Sequence, residues 1–134
     1  MGVQDKQLKQ TNAMNTENVV TEVPLVKTGI IITKEILHSK GVCADGFKKF
    51  CGRFPEGADY QEVLHWLAEI ERPDWARWLL DAMGRTTTVT TVHGSLHVKF
   101  AFVSGSLSVS VGIEAGAGIK AGGGIKAGLG IKAG

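Results

Sequence analysis

GIEAGAGIKAGGGIKAGLGIKAG, residues 112–134, is one six-residue phrase, Gly-Ile-(Glu/Lys)-Ala-Gly-x, said three times in full and a fourth time for its first five residues. A Gly/Ser linker has no reason to return isoleucine at every sixth position, as Ile113, Ile119, Ile125 and Ile131 do, with alanine two places later. Strict periodicity of this kind marks a solenoid, in which each rung buries its apolar face against the next. In an extended rung, Ile and Ala point inward and Glu or Lys points outward. The glycines take the corners, where positive φ is needed. The four isoleucines are therefore the expected solenoid core.

Working backward, the pattern fades by degrees. TVTTVHGSLHVKFAF, residues 88–102, alternates Leu96, Val98, Phe100 and Phe102 on one side. Leu107, Val109, Val111, Ile113 and Ala115 continue the alternation. Gly-Ser-Leu-x-Val occurs at Gly94–Val98 and again at Gly105–Val109, with the same small–apolar–outward–apolar shape as the hexad. This graded onset argues for folded structure from about residue 92.

Charge helps choose the coil size. Three hexads per coil stack Glu114 over Lys132, whereas two stack Lys120 on Lys132 at ~4.8 Å. Opposite charges across a strand pair help and like charges harm by a few tenths of a kcal/mol, which favours the three-sided coil. The last coil has no polar capping element, and an uncapped end offers unpaired backbone groups to another chain. Self-association through that end is an expected consequence.

Before the repeat the period is helical. Thr33 can cap a helix through Ser39, with Gly41 at its end, and a second helix is predicted from Ala44 to Arg53 around Phe47, Phe50 and Phe54. Asp59 followed by Glu62 resembles a capping box and opens YQEVLHWLAEIE, with Val63, Leu64, Leu67 and Ile70 as its apolar stripe. Pro73 suits the first turn of a fourth helix that Gly84 stops, with Trp75, Trp78, Leu79 and Ala82 on one face. Residues 1–32 are polar at first, then β-branched and broken by Pro24 and Gly29, and read as a flexible or extended lead-in. The expected organisation is α+β: a lead-in over 1–32, a small helical module over 33–84, and a short glycine-rich β-solenoid over 85–134.

Composition narrows the class. A chain of 134 residues with 43% apolar content fits one domain or two very small ones. No apolar run approaches the ~18 residues of a membrane span, and no signal segment opens the chain. A soluble, cytoplasmic protein is expected, with no membrane partner. The net charge of +2 is split between the parts. Residues 33–84 carry seven basic and nine acidic side chains, while residues 85–134 set Arg85, Lys99, Lys120, Lys126 and Lys132 against Glu114. A basic repeat half suits an acidic partner.

The residues of common chemistries are not assembled. Cys43 and Cys51 would sit ~12 Å apart on a helix, beyond disulfide reach, and no zinc spacing accompanies them. His93 and His97 sit in a strand pattern, ~13 Å apart. GAGIKA has the spacing of a dinucleotide motif without its strand–helix context. His38 beside Cys43 is the one nucleophile–base pairing worth naming. The expectation is no catalytic, cofactor or metal site, and no enzyme.

The stretch VCADGFKKF…FPEGADYQEVL…RPDWARWLLDAM resembles a helical module of small phage and prophage proteins, often followed by Gly-Ile-Lys-Ala-Gly repeats. That resemblance covers about residues 34–134. The Gly-Ser-Leu-x-Val and Gly-Ile-x-Ala-Gly phrases are similar to those of bactofilins, bacterial scaffold proteins built on a β-helix. The two resemblances imply a bacterial-host setting and a repeat part that resembles a short bactofilin-like solenoid.

Two functions follow as expectations. The first is a non-enzymatic protein-binding module of a mobile element that engages and blocks a host protein, in the manner of anti-defence inhibitors such as anti-CRISPR proteins. Its candidate interaction residues are Trp66, the most exposed of the tryptophans by helical position, and Lys120, Lys126 and Lys132. Tryptophan is enriched at interface hot spots. The alternative is a scaffold that self-assembles through the solenoid end. Nucleic-acid binding ranks last, because no aromatic residues interleave with the lysines after Phe102.

Overall fold

In the computed structural model, residues 19–128 and 130–133 are described. The polar opening stretch, residues 1–18, lies outside them. The described residues are α+β, with four helices followed by parallel sheets.

The helices start and stop where their sequence signals stand. The first, α1 (Lys34–Ser39), is capped by Thr33, whose hydroxyl accepts the Ile36 N–H at 3.2 Å. Helix α2 (Ala44–Arg53) follows after Gly41, which takes φ +84°. Helix α3 (Tyr60–Glu69) is capped by Asp59, and α4 (Pro73–Met83) opens on its proline and ends at Gly84, φ +81°. Phe50, Phe54, Tyr60, Val63, Leu64, Trp66, Leu67, Ala76, Leu79 and Leu80 bury one core among them. On α4 the most deeply buried face is Ala76, Leu79 and Leu80, while Trp75, Trp78 and Ala82 are half-buried. Ile70, expected in the α3 stripe, is exposed at the helix end.

The segment before the helices is pinned rather than free from Val19 onward. Strand β1 (Val19–Val20) pairs in parallel with Ser95 and Leu96. Strand β2 (Ile31–Ile32) pairs antiparallel with β3 (Ala58–Asp59). Asp59 is buried, and its carboxylate accepts the N–H groups of Thr28, Gly29 and Gln61 at 2.9–3.0 Å, with the Thr28 hydroxyl at 3.2 Å. Burial alone would raise its pKa, but these donors outweigh it and hold the carboxyl below its ordinary value.

After the helices come β4 (Val89–Val92), β5 (Ser95–Val103), β6 (Ser106–Val109), β7 (Gly112–Ala121), β8 (Gly124–Ala127) and β9 (Gly130–Ala133). They pair in parallel with the strand after next, giving one sheet ordered β1-β5-β7-β9 and another ordered β4-β6-β8. Leu96 meets Ile113, Ala101 meets Ile119, Leu107 meets Ile125 and Ile113 meets Ile131. Each partner is therefore seventeen or eighteen positions further on. Val92, Leu96, Ala101, Val103, Leu107, Val109 and Ile113 form a second core, joined by Val23 from the opening segment.

The strand alternation departs from its expected course inside β5. The register shifts between Val98 and Phe100, and the inward parity changes with it. Leu96 and Val98 pack on the strand core before the shift, and Ala101 and Val103 after it. Phe100 and Phe102 therefore face the helices, stacked with ring centroids 5.8 Å apart, and Phe102 is buried in the helical core. The boundary expected at residue 85 is thus crossed by packing.

Glycine serves the bends in two ways. Gly94, Gly124 and Gly130 have positive φ as expected. At Gly105 the need is space, since a Cβ there would lie 2.0 Å from the Thr88 carbonyl oxygen.

Candidate functional site

Strands β8 and β9 stand last in their sheets, so each has a paired neighbour on one side only among the described residues. This edge is built from the hexads themselves. Their isoleucines show what stacking does: Ile113 is 3% exposed, Ile119 and Ile125 are half-buried, and Ile131 is 46% exposed. Ile113 lies between β5 and β9, whereas no described strand covers Ile131. The expectation that Ile131 is core is corrected to that extent: among the described residues it is exposed.

The lysines occupy the alternate positions. Lys120 lies in β7 opposite Phe102, Lys126 in β8 opposite Ser108, and Lys132 in β9 opposite Glu114. Successive hexads thus present one cation each beside the edge. Glu114 faces two partners in its column: Lys132 in register on one side, and His97 on the other, with Nδ1 3.7 Å from its carboxylate. Glu114 and Lys132 are eighteen residues apart, the length of three hexads.

Trp66 does not join this surface. It is 9% exposed, and Phe54 packs edge-on against it at 5.5 Å. Helix α3 buries a wide arc because it lies between the other helices and β5. Its exposed role is corrected, and Trp75 and Trp78 are the more accessible pair. His38 packs on Phe47 and Cys43 caps α2 through the Gly46 N–H at 3.4 Å. Both cysteines are free. Among the described residues no group of three His, Cys, Asp or Glu side chains is placed to hold a metal ion, and no helix is long and apolar enough to cross a membrane.

Sequence reasoning missed Gln61, which joins the helices to the strands. Its amide nitrogen donates to the Phe102 carbonyl at 2.8 Å, and its oxygen accepts the Ser104 N–H at 2.8 Å and the Ser104 hydroxyl at 3.1 Å. His65 Nε2 lies 2.8 Å from the Val23 carbonyl, and its Nδ1 lies 3.0 Å from the Gln61 backbone carbonyl and 3.1 Å from the Gln61 amide nitrogen. A polar residue inside an apolar helical stripe was the one available signal. These contacts fix the strand layers against the helices and leave the β8–β9 edge at the far end of both sheet orders.

Residues 14–86 match the family model described as the YdhT N-terminal domain. No curated protein and no solved structure matches the chain.

Proposed function

The chain belongs to the YdhT N-terminal domain family, and from that premise we propose that the family domain caps a short three-sided β-solenoid, the whole being a non-enzymatic protein-binding module. The constant seventeen- or eighteen-residue register supports the solenoid, since three hexads make eighteen residues. The observation that carries the binding role is that, among the described residues, β8 and β9 are each paired on one side only, with Ile131 46% exposed beside them. Such an edge takes an added strand, whose backbone completes the ladder while side chains select it.

The lysines define the occupant. A strand stacking in register on β8 and β9 meets Lys126 and Lys132, so it should carry carboxylates at its outward positions, as Glu114 does toward Lys132. Two copies meeting end to end would set lysine against lysine, which disfavours self-assembly. Lysine on edge strands has this role against unwanted pairing in general. The likeness of residues 34–134 to phage and prophage proteins makes a bacterial host protein the partner to seek, with inhibition as the consequence of its capture.

The test is titration with a three-hexad peptide bearing Glu at each outward position, and with its Lys counterpart. Binding of the acidic peptide that weakens with salt is the expected result. Equal binding of both, or of neither, overturns the reading. The self-assembling scaffold is the second reading, and light scattering at low and high salt separates them: a large assembly at low salt would favour the scaffold.

A further inference from the structure

A second site lies among the helices, independent of the strand edge. All three tryptophans of the chain, Trp66, Trp75 and Trp78, line one cavity of about 290 Å³. Phe50 and aliphatic side chains from α1, α3 and α4 complete its walls. Its polar side chains are the Cys43 thiol and the Asp74 carboxylate, and no lysine, arginine or histidine is among the lining residues.

That lining excludes an anion, for which it holds no counter-charge. It also has more than an uncharged hydrocarbon needs, because the Asp74 carboxylate, 61% exposed and paired with Arg72, stands at the rim of its aromatic walls. Asp74 is ionised at ordinary pH, since hydrogen bonding from Arg72 pulls its pKa down to about 2. The molecule itself displays the preference beside the cavity. The Arg72 guanidinium lies over the Trp75 ring, 3.5 Å from its centroid, and reaches Asp74 at 2.8 and 3.1 Å. Trp75 and Asp74 thus already hold one cation between an aromatic face and a carboxylate. Asp45, in the first turn of α2, adds a second carboxylate within electrostatic reach of that guanidinium.

We propose that this cavity binds an organic ammonium ion with apolar substituents, its alkyl groups against the tryptophans and its charge at the rim, where it competes with Arg72 for Asp74. Aromatic faces attract such cations through the ring quadrupole, and desolvation strengthens the attraction. The apolar walls supply that desolvation for the alkyl groups, while Asp74 stays at the exposed rim; the cavity's volume is close to the lower end of small-ligand sites.

The experiment uses the full chain and two probes of nearly the same shape, choline and its uncharged isostere 3,3-dimethylbutan-1-ol. Tryptophan fluorescence reads binding directly, because all three tryptophans line the site. Choline should bind saturably and about tenfold more tightly than the alcohol, the ratio that a partly desolvated cation–π contact gives. Trp78→Ala should abolish the signal change with choline while leaving the helical circular dichroism in place. A pentapeptide centred on trimethyllysine distinguishes the sources of the ion: tighter binding than choline assigns a modified protein side chain, and weaker binding a free small molecule. Equal or tighter binding of the alcohol would overturn the charge assignment. Absence of saturable choline binding up to roughly 10 mM would overturn the site itself.

Discussion

The side-chain oxygen of Gln61 accepts the backbone N–H of Ser104 at 2.8 Å, across forty-three positions of chain. The same oxygen also accepts the Ser104 hydroxyl, and the amide nitrogen donates to the Phe102 carbonyl and lies 3.1 Å from His65 Nδ1. The network runs on from the Ser104 hydroxyl to Thr86 at 3.0 Å and from Thr86 to Thr88 at 2.8 Å. A buried network of this kind contributes most when complete, because each deserted member keeps its desolvation cost.

Gln61→Leu should therefore destabilise more than its size suggests. It strands the Ser104 N–H and the Phe102 carbonyl in the interior, at about 1–3 kcal/mol for each unsatisfied group. The urea midpoint reads the loss, and an unchanged midpoint would show that the amide is not a structural joint.

Asp59 predicts a pH dependence of definite sign. Its pKa is lowered in the folded chain, so the unfolded chain binds its proton first as pH falls. The stability it contributes is complete above the unfolded value, near 3.8, and is lost as pH falls through the lower folded value. Asp59→Asn should cost about 1.5–3 kcal/mol at pH 7, the worth of hydrogen bonds to a charged group. The gap between variant and parent should narrow in acid. Urea unfolding at pH 7 and pH 3 checks this, and a gap that widens in acid contradicts the clasp.

Two glycine substitutions should move stability in opposite directions. Gly105→Ala would drive a Cβ to 2.0 Å from the Thr88 carbonyl oxygen, and the forced shift should cost about 1–3 kcal/mol as overpacking does. Gly52, in α2, has no atom within 4 Å of the added carbon, so Gly52→Ala should gain about 0.5–1 kcal/mol from helix propensity. Thermal melts of the two variants give the contrast; equal effects would contradict the close approach at Gly105.

The four hexad isoleucines should respond unequally to one replacement. Ile113→Ala removes a buried side chain and should cost about 2–5 kcal/mol, while Ile131→Ala should stay within about 0.5 kcal/mol as a surface change. Ile119→Ala and Ile125→Ala should fall between them. A uniform response across the four would mean that a further layer covers Ile131 in solution.

The sequence by itself determined what depends on neighbours a few residues away. Thr33, Asp59, Pro73 and Gly84 mark helix ends because the groups they satisfy or release lie within one turn. The hexad announced parallel stacking because each copy repeats the same small and apolar positions, and the Glu114–Lys132 alternation even named the register. Tertiary structure alone decided the rest. The parity change between Val98 and Phe100 leaves no mark in an alternating run, since either face of Lys99–Val103 is apolar enough to be inward until the helices claim Phe100 and Phe102. Trp66 is buried for the same reason: its helical position lies beside the apolar stripe, and the width of the buried arc depends on what packs against α3. Gln61 is legible only once Ser104 stands beside it, because a buried amide is costly or stabilising according to partners that the local chain does not contain.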